Sequence, residues 1–147
     1  LMIGPRVYEA IERQSGELGM FGLTMTYSGH PVASAVALET LKIYEELNIV
    51  DHVKQVGPIL LNGLRQLQGH PLVKEIRGIG LLAGVELLPK YGRECARLAE
   101  SEGLIVRAIG DTIAFCPPLI ISESEVQELL LRFHKALERL KSFEPTN

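Results

Sequence analysis

A chain of 147 residues fits one domain of ordinary size, long enough to bury most of a core without disulfides or a structural metal. Hydrophobic residues make up 46% and charged residues 22%, and the net charge of −3 offers no electrostatic case for nucleic acid or an anionic membrane as partner. The two cysteines, Cys95 and Cys116, have neither paired metal-ligand spacing nor the density of a secreted scaffold, so they read as buried free thiols in a reducing compartment, by default the cytoplasm. Glu86, Arg107 and Asp111 interrupt the longest apolar runs before any reaches a membrane span, and no basic segment followed by a signal core opens the chain. Leu1-Met2-Ile3-Gly4-Pro5 reads like the end of a buried strand entering a helix, which implies a truncated N-terminus.

Pro5 suits a first helical turn, and Val7, Tyr8 and Ile11 continue a short helix that Gly16 should stop. Residues 15–29 carry Gly16, Gly19, Gly22 and Gly29 with little periodicity and predict a loop. Pro31 opens a second helix whose residues Val32, Ala35, Val36, Leu38, Leu41, Tyr44 and Leu47 make a broad apolar face, expected to pack on two neighbours. A third helix is expected from Asp51 as N-cap, with Val53, Val56, Leu60, Leu64 and Leu67 inward and a kink or new start at Pro58. Strand-like runs 73–77 and 81–87 flank Gly78-Ile79-Gly80 as a hairpin, and a short helix from about Gly92 to Ser101 ends near Gly103. A second hairpin pairs 104–107 with 112–115 around Gly110-Asp111. Ser122 and Glu125 form a capping box ahead of a long amphipathic helix carrying Val126, Leu129, Leu130, Phe133, Leu137 and Leu140. The sum is an α+β layer, antiparallel hairpins backed by helices.

Thr26-Tyr27-Ser28-Gly29-His30-Pro31 places hydroxyls, a flexible glycine and free amides directly before a helix, the chemistry an anion site needs, although ordinary helix capping accounts for the same residues. Arg77-Gly78-Ile79-Gly80 reads as turn chemistry, with Arg77 as a carboxylate or interdomain contact in second place. Cys116-Pro117-Pro118 reads as a stiff connection after a buried thiol. His30, His52, His70 and His134 are scattered without ligand spacing, and no nucleophile–base arrangement can be argued from their order.

The hexad, the alanine-rich helix after it, Arg77-Gly78-Ile79-Gly80-Leu81 and the stretch from Arg107 to Pro118 together resemble the class III aminotransferases, pyridoxal-phosphate enzymes that include ω-amino acid and amine:pyruvate transaminases. The resemblance runs over nearly the whole chain and implies the C-terminal third of a fold-type I subunit. Residues 1–48 would then end the large cofactor-binding domain, with the phosphate loop and an interdomain helix, and 49–147 would form the small α+β domain. By the same resemblance the Thr26 hydroxyl donates to the phosphate of the cofactor held by the other subunit of a homodimer, with the Met25 amide as a second donor. Relatives usually carry His-Gly where this chain has Leu23-Thr24 and an aromatic residue in place of Met25, which makes Thr24 an alternative hydroxyl. Arg107 matches the arginine that takes the carboxylate of an amino or keto acid in ω-transaminases and swings aside for an amine; a surface arginine paired with Asp111 or Glu102 is the plainer alternative.

A transaminase of this kind needs a lysine that forms a Schiff base with pyridoxal phosphate. No lysine precedes Lys42, and Lys42, Lys54, Lys74, Lys90, Lys135 and Lys141 match solvated positions. The resemblance therefore implies a chain that binds the cofactor weakly or not at all and is inactive alone, with no catalytic residue and no metal ligand of its own. A freestanding α+β binding or dimerisation module is the competing reading. A large docking face should leave apolar surface exposed and promote self-association.

Overall fold

A computed structural model describes residues 3–22 and 25–143. The chain divides between Lys42 and Ile43 into two compact units.

The first unit holds helix α1 (Pro5–Leu18) and most of α2 (Pro31–Glu46). Pro5 sits in the first turn of α1, where a missing N–H costs nothing, and Gly19 ends it in the left-handed region at φ 71°. Gly16 does not stop this helix; it lies inside, with open space where a side chain would be. Neither helix has a buried residue, and Val32, Val36, Leu38 and Leu41 stand exposed along α2. The tight packing expected of that face is not formed among the described residues.

The second unit is α+β. Helix α3 (Ile49–Arg65) starts two residues before the expected Asp51, on Asn48, which takes a left-handed φ of 48°. The Asp51 amide already bonds to the Asn48 carbonyl at 3.0 Å, so Asp51 acts as a first-turn acid rather than a cap. Pro58 stays within α3, which runs on without a new start. Buried Val56, Leu60 and Leu64 fix this helix on the core, and tertiary packing outweighs the lost backbone bond.

After a 3-10 turn at Gln66–Gly69, strands β1 (Val73–Ile79) and β2 (Leu82–Leu87) form the first hairpin. Helix α4 (Gly92–Ser101) leads to the second hairpin, β3 (Arg107–Ile109) and β4 (Thr112–Phe115), and α5 (Glu123–Leu140) follows. The four strands make one antiparallel sheet in the order β1-β2-β4-β3. Strand β3 begins at Arg107 and not at Leu104, because the Leu104 amide is still tied to the Ala99 carbonyl of α4 at 2.9 Å. Arg107 accordingly opens a strand instead of ending one. The register shifts in β1 between Val73 and Glu75, which makes Lys74 a bulge residue.

Strand alternation divides the sheet into two faces. Ala83, Val85, Leu87, Ile113 and Phe115 point inward and join Val56, Leu60, Cys95, Leu98, Val126, Phe133 and Leu137 in one core. Phe115 and Phe133 meet edge to face, ring centroids 4.8 Å apart. Both halves of the capping box at Ser122 and Glu125 are formed. Among the described residues no helix is long and apolar enough to cross a membrane, and no group of three or more potential metal ligands gathers.

Candidate functional site

The turn before α2 belongs to the first unit. Gly29 adopts φ 67°, which a side chain would resist, and this turns the backbone so that Pro31 begins the helix. The turn closes on itself: the Ser28 amide donates to the Met25 carbonyl at 2.9 Å, and the Met25 amide donates to Ser28 Oγ at 3.2 Å. The Tyr27 and His30 rings lie 5.7 Å apart beside it. Met25 and Thr26 are both exposed, and the Thr26 hydroxyl has no hydrogen-bond partner among the described residues. The Met25 amide is free for an incoming anion only if the Ser28 hydroxyl gives way. Thr24, the alternative hydroxyl, lies outside the described residues, as does its neighbour Leu23.

Arg107 belongs to the second unit and stands exposed at the start of β3. It makes no ion pair or side-chain hydrogen bond among the described residues: Glu102 pairs with Arg139, and Asp111 Oδ1 accepts from the Gly92 amide at 2.9 Å. Neither of the plainer partners for Arg107 is therefore engaged with it. The pairing register places Arg77, Gly84, Ala114 and Arg107 in one row across all four strands, on the face turned away from the core. The neighbouring row on the same face contains Glu75, Glu86, Thr112 and Ile109.

Between these rows lies a charge network that the sequence motifs did not single out. Glu86 accepts from Lys74 Nζ at 2.5 Å and from Arg77 Nη1 at 2.8 Å, while Glu75 stands 3.3 Å from the same Arg77 nitrogen. The hydrogen bonds from Lys74 and then Arg77 hold the Glu86 carboxyl below its ordinary range, and the bond to Glu86 raises Lys74 in turn. Arg77 Nη2 reaches Thr112 Oγ1 on β4 at 3.4 Å. The outward alternation Leu82, Gly84, Glu86 was the available signal for this network, but partners two strands apart appear only once the register is known.

Cys95 is buried as expected, and burial pushes its thiol up to about 12. Cys116 is exposed, contrary to the sequence reading, because Phe115 before it takes the inward position. The six lysines offer no enclosed amine: all are exposed, and Lys42, Lys54, Lys74 and Lys141 pair with Glu39, Asp51, Glu86 and Glu138.

The family described as aminotransferase class-III matches residues 5–137. The gamma-aminobutyrate transaminase 1, mitochondrial, of Oryza sativa subsp. indica is 42% identical, with 94% of this chain and 29% of the relative covered. A chloroplastic gamma aminobutyrate transaminase 3 of Solanum lycopersicum is 40% identical over the same shares. The omega transaminase of Pseudomonas jessenii, solved in complex with PMP, superposes with a TM-score of 0.88 at 48% identity, covering 95% of this chain and 33% of the other. The chain thus spans about 29% of the length of these curated relatives.

Proposed function

Since the chain belongs to the class-III aminotransferases, we propose that it forms the C-terminal part of an enzyme that moves an amino group from an ω-amino acid or amine to pyruvate or another keto acid. In this reading residues 1–48 finish the large domain and 49–147 make the small one. Class-III aminotransferases use pyridoxal phosphate, and one structural neighbour holds PMP. When bound, that cofactor supplies the electron sink for proton movement at the substrate carbon.

The residues present fit one end of such a group. Thr26 offers an exposed hydroxyl and Met25 an amide just ahead of a helix N-terminus, a suitable cradle for a phosphate. The lysines, exposed and mostly in ion pairs, do not fit the covalent role, so the chain alone is expected to be inactive and to retain little cofactor. The phosphate contact would complete the partner's pocket in a homodimer. The uncovered apolar stripe of α2 supports a subunit larger than this chain. A compartment that keeps thiols reduced suits both cysteines, and the cytoplasm stands beside the mitochondria and chloroplasts named for the plant relatives.

The observation that carries the substrate reading is Arg107, exposed and uncommitted on the open face of the sheet. A guanidinium in that state can grip a carboxylate with two parallel bonds and can also move away from an uncharged amine. Its test is Arg107→Ala in the full-length enzyme carrying this segment. Keto-acid kcat/KM should fall at least tenfold more than amine kcat/KM, and equal losses would assign Arg107 a structural role. Thr26→Ala in the same enzyme should speed cofactor loss on dialysis with kcat preserved while the cofactor remains saturating. A stoichiometric, borohydride-sensitive yellow complex formed by this chain alone would contradict the predicted inactivity.

A further inference from the structure

We propose that Glu86 determines substrate specificity: by holding Arg77 and Lys74 it leaves Arg107, among the described residues, as the single uncommitted cation on the open sheet face, and so favours monocarboxylate over dicarboxylate substrates. The inference rests on the reading of Arg107 as the carboxylate partner, and adds to it a second arginine that is present but occupied.

Arg77 starts on β1, the opposite edge of the sheet from β3, yet its side chain crosses β2 to reach Thr112 on β4. The crossing depends on Gly84. A Cβ there would lie 3.2 Å from Thr112 Cγ2 and 4.0 Å from Arg77 Cγ, so a larger side chain would fill the path of the guanidinium. The Arg77 head group consequently sits beside the strand next to β3, roughly one strand spacing of about 4.8 Å from the strand that carries Arg107. Gly84 and Ala114, both small, lie between the two arginines in their row. Both arginines border one small-residue floor.

Their pairing differs. Arg77 is bonded to Glu86 and faces Glu75, and the bulge at Lys74 brings a further cation onto Glu86. Three cations, Lys74, Arg77 and Arg107, meet two carboxylates, Glu75 and Glu86, and the one positive charge left over is Arg107. A substrate with one carboxylate finds its partner there. A substrate with two would have to displace Glu86 from Arg77, which the network opposes.

The experiment uses the full-length enzyme and Glu86→Gln, which keeps shape and an acceptor oxygen but removes the charge. Dissociation constants for valerate and glutarate, five-carbon acids that differ by one carboxylate, are measured by calorimetry beside kcat/KM for pyruvate and 2-oxoglutarate. Glutarate should bind about tenfold tighter to the variant with valerate changed less than twofold, and the preference for 2-oxoglutarate over pyruvate should rise in parallel through KM. Adding Arg77→Met should remove the gain. Parallel changes for both acids, no change for either, or a gain that survives Arg77→Met would overturn the inference. Arg107→Ala separates the two levels: if it weakens valerate while Glu86→Gln leaves the ratio unmoved, the specificity proposal falls and the carboxylate role stands; if it leaves valerate binding intact, both fall. Should Glu86→Gln fold poorly, Glu86→Asp, which keeps the charge on a shorter arm, must retain the wild-type ratio.

Discussion

Two glycines in α3 allow the packing of that helix to be measured against itself. Gly57 and Gly63 share a helix interior, where alanine gains about 1 kcal/mol of propensity over glycine. Their surroundings differ in kind. A Cβ on Gly57 would lie 2.9 Å from three backbone atoms of Gly80, the turn residue between β1 and β2, which is itself fixed in the left-handed region at φ 56°. That backbone can move only by disturbing the hairpin, and overpacking of this sort costs about 1–3 kcal/mol. A Cβ on Gly63 has its three nearest neighbours in the side chain of Leu130, which can rotate away for about 0.5–1.5 kcal/mol. Gly57→Ala should therefore be less stable than wild type by about 1 kcal/mol, and Gly63→Ala nearly neutral. Native-state hydrogen exchange of the slowest amides in β2 and β4 reads the stability of this unit directly, and about 1 kcal/mol appears there as roughly a fivefold faster exchange. If Gly57→Ala exchanges as slowly as wild type or more slowly, the close approach of α3 to the hairpin is not what the geometry indicates.

His70 predicts a loss of stability in mild acid. Its Nδ1 accepts the Leu72 amide at 3.2 Å, which leaves the proton on Nε2, 3.6 Å from Glu138 Oε1 and too far for a hydrogen bond. Burial, then Lys141, lowers its pKa below the ordinary 6.5, although Glu138 opposes them and His134 adds to the lowering. The unfolded chain thus takes the proton first: stability is complete above about 6.5 and is lost progressively as the pH falls toward the folded-state value. The urea midpoint should decline between about pH 7.5 and 5.5, and His70→Asn, which can still accept from Leu72, should flatten that decline; equal slopes in both proteins would exclude His70 as the cause. For the thiols, a disulfide reagent should modify Cys116 rapidly in the native chain and reach Cys95 only on unfolding, and two fast equivalents would contradict the burial of Cys95.

How much of this could be read beforehand depended on how local each determinant is. The start of α5 was plain because Ser122 and Glu125 satisfy each other within a single turn. The run of Gly92 to Ser101 likewise carries its own periodicity. The start of α3 was not plain, since Asp51 resembles a cap while Asn48 takes the strained angle, and Pro58 keeps its place through contacts distant in sequence. The exposure of Cys116 was legible in the alternation of Ile113 and Phe115, though the double proline after it suggested otherwise. Of the candidate site, Thr26, Met25 and Arg107 came from resemblance. Glu86 and Thr112 emerged only with the register, because no spacing along the chain records that β4 lies between β2 and β3.

Among the described residues the sheet has two open edges, and each is poorly suited to receive another strand. On one side β1 is broken by the bulge at Lys74 and carries Glu75 and Arg77; on the other, β3 is only three residues long. A foreign strand would meet charge and a shifted register at the first edge and too few open amides at the second. A chain that displays as much bare apolar helix as α2 does can therefore stay clear of cross-strand polymerisation, and any clustering it undergoes is steered to side-chain burial, which dilution reverses.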